Sequence, residues 1–366
     1  MSDNEKIIKD KTEAAKEAFC EFSIDLYRCD CDKIQPWGDG HINETYLVDG
    51  KYILQKINTA IFRRPDMLMH NITEVTEHLA RKITEDGGNP LTQTLTVIKT
   101  RSGDSYLTDK NGAWRVYTYI PSSSYNIAEN SEMIYNEGKA FGKFQMRLSD
   151  FDASRLYEVI ENFHNTKKRF ETFIETVKSD RLGRAKNVSD EIKFFVGREK
   201  IADTVLPLLG SEKIPLRVTH NDTKINNILF EKNSSRPLAV IDLDTVMPGS
   251  ALYDFGDAIR TGASLAGEDE TDLSKVGINL ENYKSFAQGF IEGCGGSLTR
   301  TEIELMPKSA ILMTYECGMR FLTDYLDGDR YFRISHPGHN LERCHTQMKM
   351  IEDMEKKLHD MEKAVR

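Results

Sequence analysis

The stretch Val218–Phe230 reads VTHNDTKINNILF, and a second run, Leu238–Val246, reads LAVIDLDTV. Each joins a polar cluster to an apolar run short enough for a strand. The first places His220 two residues before Asp222 and Asn227 five residues after it. The second carries Asp242 and Asp244. Asp242 follows Asn227 by 242 − 227 = 15 residues, enough for one hairpin to return it beside Asn227. The two runs therefore read as one device: a loop, a strand, a turn, and a second strand ending in acids.

A carboxylate and a carboxamide at this spacing suit phosphoryl transfer from ATP. That chemistry asks for a carboxylate beside the attacking hydroxyl, oxygen ligands for Mg²⁺, and donors around the phosphates. In this reading Asp222 orients the acceptor hydroxyl and takes its proton, while Asn227 and Asp242 hold Mg²⁺. Asp244, taken to share a strand face with Asp242, adds a second, water-mediated metal contact. His220 braces the loop by hydrogen bonds. The literal DFG at Asp254 competes with Asp242, but it lies 254 − 227 = 27 residues past Asn227, at the start of a helical stretch. Asp254 is read instead as a support beneath the loop. DxDTV at 242–246 also matches the first motif of aspartate-nucleophile phosphatases, with Asp242 as nucleophile and Asp244 as acid/base. That fold begins with this strand, whereas here 241 residues precede it and the HND loop would have no task.

Working upstream, Trp37–His41 reads WGDGH between two short β-rich runs. Gly38 and Gly40 would let backbone N–H groups approach phosphates. The third glycine of a dinucleotide fingerprint is absent, Asn43 standing there. Three short strands are expected from Lys33, with Asp49-Gly50 as a hairpin turn. A helix should span 64–83, with Leu68, Ile72, Val75 and Leu79 on one stripe. Two further strands are expected at 91–98 and 114–120, and an amino-terminal helix within 5–30. The strand position that would carry a phosphate-binding lysine holds Gln55, with Lys56 beside it on the opposite face. Glu74 and Glu77 are both candidates for a helix glutamate partner. The hinge segment ending in Tyr119 and Ile120 would meet adenine with its backbone.

Pro121-Ser122-Ser123-Ser124 marks a lobe boundary, giving a nucleotide lobe at 1–120 and a helical lobe at 121–366. Helices are expected at 131–148, 153–163, 166–178, 189–208, 281–293, 301–326 and 340–364. The fold class is α+β: a small antiparallel sheet with one helix, hinged to a larger, mainly helical lobe, with a cleft between them.

The bulk composition agrees with a small-molecule site. The chain has 366 residues, 39% hydrophobic and 29% charged. A net charge of −9 argues against nucleic-acid binding, which needs a basic surface. No run approaches the roughly 20 apolar residues of a membrane span. The charged start, MSDNEKIIKD, lacks a signal-peptide core, and six cysteines without CxxC spacing fit a cytoplasmic, reduced protein.

Together, VTHNDTKINNILF, AVIDLDTVMPGSALYDFGDAIR, WGDGHINETYLV and ECGMRFLTDYL resemble the N-acetylhexosamine 1-kinases of the aminoglycoside phosphotransferase/choline kinase superfamily. The resemblance runs from about Pro36 to about Met354. It implies a bilobal, protein-kinase-like fold, ATP with Mg²⁺, and transfer of the γ-phosphate to the anomeric hydroxyl of N-acetylglucosamine or N-acetylgalactosamine. It matches Asp222 to the catalytic aspartate, and Asn227 and Asp242 to the metal ligands. It also places His41, Thr245, Arg320 and Tyr331 on segments that line the sugar pocket. Gln55 departs from the superfamily's lysine and leaves the nucleotide contacts open.

Two rivals remain. One is a kinase of the same fold acting on an aminoglycoside, choline or another hydroxyl compound; a cationic acceptor would want an acidic or aromatic pocket. The other is a catalytically inactive kinase fold that only binds. The acidic loop 266–274 reads as solvated surface. The last helix spaces Ile351, Met354, Leu358, Met361 and Val365 at threes and fours. Packing on its own lobe is preferred to a dimer seam, so a monomer or weak homodimer is expected.

Overall fold

The Asp49-Gly50 turn organises the amino-terminal sheet. Both residues take positive φ, 50° and 63°, as a tight right-twisted hairpin requires. The computed structural model describes residues 3–25, 28–38 and 42–366. Helix α1 (Asp3–Phe19) is followed by strands β1 (Ile34–Pro36), β2 (Glu44–Val48) and β3 (Tyr52–Ile57). Helix α2 (Pro65–Glu85), a short α3 (Pro90–Gln93), and strands β4 (Val97–Ile98), β5 (Leu107–Asp109) and β6 (Gly112–Thr118) complete this part. The strands form one antiparallel sheet in the order β1-β2-β3-β6-β4, with β5 also on β6.

Three expectations change here. The first helix stops at Phe19, because the chain turns to pair with the sheet margin: Phe22 bridges Thr100, and Ser23 donates to the carbonyls of Lys99 and Thr100. The strand expected at 91–98 survives only as β4. Asn89 caps a helical turn opened by Pro90, its side chain accepting from the Leu91 N–H. The sheet has six strands rather than five, since β5 and β6 form a further hairpin around Lys110-Asn111.

Period-2 alternation divides the sheet residues. Leu54, Trp114 and Val116 face α1 and its Ala15, Ala18 and Phe19. Ile57, Ala113 and Tyr117 face α2 and the core that continues into the helical part. Gln55 and Arg115 lie on this second face, in register with each other.

The rest of the chain is mainly helical, as expected. It contains α4 (Ser131–Arg147), α5 (Thr166–Ser179), α6 (Ser189–Val196), α7 (Leu206–Gly210), α8 (Ala251–Gly262), α9 (Leu280–Gly293), α10 (Arg300–Asp327) and α11 (His339–Ala364). Two small antiparallel pairs interrupt it: β7 (Arg217–Thr219) with β10 (Met247–Gly249), and, between them in the chain, the hairpin β8 (Ile228–Phe230) and β9 (Pro237–Val240). The helix expected at 153–163 is only a 3₁₀ turn at 153–155, and the one at 189–208 breaks after Val196. Met350, Ile351, Met354 and Met361 of α11 are buried in the chain's own core.

Helices α4 and α9 cross at unusually close range. A Cβ on Gly138 would lie 2.2 Å from the Phe286 carbonyl, and one on Gly289 2.0 Å from that of Tyr135. Only glycine allows that approach. Arg217 of β7 makes a buried bidentate pair with Glu302 at the start of α10, at 2.6 and 2.9 Å. These contacts set the strand that leads into the HND loop. Among the described residues, no helix is long and apolar enough to cross a membrane.

Candidate active site

The HND loop is held from beneath by one buried carboxylate. Asp254, in the first turn of α8, accepts from the backbone N–H groups of His220 at 3.0 Å and Asn221 at 2.8 Å, and from Gln145 of α4 at 2.7 Å. Asn221 needs that hold, since its φ is 68°, outside the range most side chains prefer. Asp254 is completely enclosed, and burial pushes its carboxyl above the usual range against these donors. The literal DFG thus supports the loop rather than facing the cleft. Thr223 extends the same hold, donating its hydroxyl to the Asp254 carbonyl at 2.6 Å.

His220 is a brace. Its Nδ1 accepts from the Asp222 N–H at 3.3 Å, so its Nε2–H donates to the Ile241 carbonyl at 2.9 Å. That bond ties the loop to the end of β9. The Ile241 N–H in turn donates to the Asn227 carbonyl at 2.9 Å. The hairpin inferred from the 15-residue spacing is therefore present, and it sets Asp242 next to Asn227.

Asn227 donates its amide to the Asp222 carbonyl at 2.8 Å and to Asp222 Oδ2 at 3.0 Å. Its Oδ1 is left as the end available to a cation. Asp222 Oδ1 pairs with Lys224 at 2.7 Å. Burial opposes the Lys224 charge, but Asp222 and Asp257 outweigh it and hold the ammonium above its usual range. Asp242 takes a left-handed conformation, φ 58° and ψ 58°, and keeps an exposed face while protein crowds its other sides. That crowding, then the carboxylates of Asp244 and Asp222, push it up to about 6. A carboxylate so surrounded by its own sign, beside an amide oxygen, is a donor set suited to a hard divalent cation.

Asp244 behaves differently from its neighbour. The left-handed turn at Asp242 and the following 3₁₀ turn remove the shared strand face expected from sequence. Asp244 Oδ1 meets Arg115 of β6 at 2.5 Å, and Oδ2 accepts from Asn43 at 2.7 Å. Both of its oxygens are therefore engaged from the amino-terminal part, one by the sheet and one by the residue just before β2. Arg115 is 2% exposed, and its Nε donates to Gln55 Oε1 at 2.9 Å. Gln55 passes the chain on to the Thr45 hydroxyl at 3.0 Å. Desolvation works against the guanidinium, yet Asp244 and then Asp242 keep it firmly charged.

This arrangement answers the question at Gln55. Gln55 points to the cleft face, and Lys56 lies over the Trp114 ring on the α1 face. Glu74 pairs with Arg155. The cation that meets Asp244 from the sheet is Arg115, which sequence reading passed over. Its signal was there: one charge inside the strand GAWRVYT, directly across from Gln55. Lys224, two residues after Asp222, was passed over as well.

The remaining expected residues scatter. Tyr119 and Ile120 follow β6; the Tyr119 N–H is taken by the Lys51 carbonyl at 2.8 Å, and its ring meets Trp37 edge-on at 5.8 Å. Gly38 has φ 76°, and Gly40 and His41 lie outside the described residues. Thr245 sits behind the loop, its hydroxyl donating to the His220 carbonyl at 2.7 Å. Arg320 of α10 stacks on Tyr331 and Phe332, at 5.4 and 5.2 Å from their ring centres.

A cavity of about 370 Å³ opens beside Asp222. Its wall carries five cationic side chains, Lys224, Arg260, Arg320, Arg333 and Arg343, against four carboxylates, Asp222, Asp257, Glu268 and Glu316. Most are paired: Arg260 with Asp257 and Glu268, and Arg343 with Asp269. Burial opposes the Glu316 charge, but His164, Arg169 and Arg320 hold that carboxylate down at about 2.

A sheet on one side, a helical body on the other, and Asp222, Asn227 and Asp242 gathered between them make the architecture of a kinase-like phosphotransferase. Residues 33–281 match the phosphotransferase enzyme family, and the chain belongs to it. Solved structures agree on the fold. An aminoglycoside phosphotransferase from Alicyclobacillus acidocaldarius is 14% identical, covers 96% of both chains and has a TM-score of 0.58. A choline/ethanolamine kinase family protein from Mesorhizobium loti is 14% identical over 97% of this chain and 99% of its own, with a TM-score of 0.55. A spectinomycin phosphotransferase bound to ADP and spectinomycin is 14% identical over 96% of this chain and 98% of its own, at a TM-score of 0.55.

Proposed function

We propose that the protein phosphorylates the anomeric hydroxyl of an N-acetylhexosamine, using ATP and Mg²⁺, with residues 1–120 as the nucleotide lobe and 121–366 as the acceptor lobe. The observation that carries the acceptor class is the charge of the cavity beside Asp222. Each of its four carboxylates already has a cationic partner: Asp222 has Lys224, Asp257 and Glu268 have Arg260, and Glu316 has Arg169. A polycationic aminoglycoside or a choline-like amine would find no free carboxylate there, whereas a neutral sugar needs none.

Asp222 faces this cavity and accepts the hydrogen bond of the attacking hydroxyl, then its proton, as the new O–P bond forms. Asn227 holds Asp222 in place through its amide and turns its oxygen to the metal side. Asp242 supplies the carboxylate ligand. Bound Mg²⁺ would neutralise phosphate charge and draw off that of the departing ADP. Lys224 stands beside Asp222, where a positive charge favours the migrating phosphoryl group. Asp244 is assigned to Arg115 and Asn43, linking the sheet to the metal strand. Arg320 forms the far wall for the sugar, with Tyr331 stacked on it from outside that cavity, and Thr245 acts through the loop it holds.

The test is ADP release measured with N-acetylglucosamine, N-acetylgalactosamine, choline and kanamycin, followed by phosphorus NMR of the product. Turnover with a hexosamine and an anomeric phosphate signal is expected. Turnover restricted to the amines would replace the acceptor. Nucleotide binding without turnover of any acceptor would make the protein a binding module.

A further inference from the structure

The cavity beside Asp222 is not the end of the acceptor path. A second cavity of about 450 Å³ lies between α5, α10 and the segment after α10. The two share Arg320 and Phe332 in their walls. Each volume alone falls in the range of small-molecule sites. The outer chamber is lined by Asn162, Thr172, Thr176, Thr323 and Tyr331, among others. Its charged residues balance: Glu161, Asp324 and Asp327 against Lys168, Arg169 and Arg320. Asp324 is already spent on protein groups. It accepts from the backbone N–H groups of Arg330, Tyr331 and Phe332 at 2.8, 2.8 and 2.9 Å, and from Asn340 at 2.9 Å.

That clasp fixes an otherwise irregular segment and with it the partition. Tyr331 remains 68% exposed although the backbone beneath it is held by a buried carboxylate. Arg320 lies against both rings and donates to the Tyr331 hydroxyl at 3.3 Å. An aromatic platform with hydroxyl and carboxamide groups and no net charge is the lining a neutral, polyhydroxylated ligand calls for. No step assigned to the first cavity uses this chamber.

We infer that the outer chamber is a second saccharide subsite, so that the enzyme also phosphorylates a disaccharide whose reducing-end N-acetylhexosamine occupies the inner cavity. This rests on the function proposed above. The chemistry is unchanged: the anomeric oxygen of the inner residue bonds the γ-phosphorus, the bond from that phosphorus to the bridging oxygen breaks, Asp222 takes the hydroxyl proton, and ADP leaves. The second ring passes Arg320 and Phe332 and rests against Tyr331.

The experiment compares ADP release with N-acetylglucosamine, N,N′-diacetylchitobiose and a β1,3-linked galactosyl-N-acetylglucosamine. Turnover of at least one disaccharide is expected, with kcat/KM within about tenfold of the monosaccharide. Thr172→Trp, at an exposed position on α5, should fill the chamber and lower the disaccharide-to-monosaccharide ratio of kcat/KM at least tenfold. Thr176→Trp provides a second filling variant. Monosaccharide turnover with no disaccharide turnover, or a ratio untouched by both variants, overturns the subsite and leaves the monosaccharide function standing. No turnover of either sugar class overturns both.

Discussion

The HND loop and the sheet face opposite it solve the same problem in contrasting ways. Each must hold charged groups at a cleft. In the loop, Asp222, Asn227 and Asp242 come from 21 consecutive residues and are positioned by bonds among themselves and to Asp254. On the sheet, Arg115, Gln55, Thr45 and Asn43 come from three separate segments and meet Asp244 only because two strand registers and the lobe contact bring them together. Local geometry serves the first; long-range pairing serves the second. The loop is therefore expected to tolerate changes in the sheet better than the lobe contact does.

The largest expected effect falls on the loop. Asp222→Asn should lower kcat by about 10²–10⁴-fold while leaving ATP affinity within a few fold. Steady-state kinetics and calorimetric titration decide it, and equal loss of both would show that Asp222 binds nucleotide instead.

Breaking the sheet side should appear in stability. Arg115→Met leaves Asp244 buried without its cation, which costs about 3–5 kcal/mol. Asp244→Asn in the same background should recover part of the loss, and chemical denaturation of the four-protein cycle measures the coupling. A coupling near zero would mean the two residues act independently.

A third carboxyl sharpens the contrast by having no partner. Glu137 of α4 is buried, neither oxygen finds a donor, and burial pushes it up to about 8. Its folded form thus keeps a proton that the unfolded chain releases near 4.5. Between those values the folded state binds more protons, so stability is greatest below about pH 4.5 on this account and falls as pH rises toward 8. Glu137→Gln should remove a decline of about 3–4 kcal/mol across that window, measured as the pH dependence of unfolding free energy. A wild-type slope identical to the variant's would contradict the buried, unpaired state.

The smallest effect tests the loop's support. Asp254→Asn keeps the shape but turns an NH₂ toward a donor, stranding one N–H of His220 or Asn221 at a cost of about 1–3 kcal/mol. Activity should fall with KM nearly unchanged. A rise in nucleotide KM alone would instead place Asp254 at the metal.

The loop was legible because its residues lie close in the chain and its spacing is set by one turn and one hairpin. The role of Asp254 beneath the loop was readable for the same reason: an acid at a helix start, too far along for the metal. Asp244 was not, since alternation along LAVIDLDTV predicts a shared face that the left-handed Asp242 abolishes. Arg115 was missed because its meaning depends on which residue lies across the sheet. The early end of α1, the loss of a strand at 91–98 and the broken helix at 189–208 are likewise decided by what the backbone meets, or by caps that outweigh an apolar period.

By itself, then, the amino-acid sequence determined the sheet-then-helix order, the hairpin at Asp49-Gly50, and the adjacency of Asp222, Asn227 and Asp242, all of them consequences of short-range backbone geometry. Only the tertiary structure decided that Gln55 faces the cleft, that Arg115 is the cation on Asp244, and that Arg320 and Phe332 divide two cavities. Those outcomes depend on register and packing between distant segments, where a shift of one residue exchanges the buried face for the exposed one.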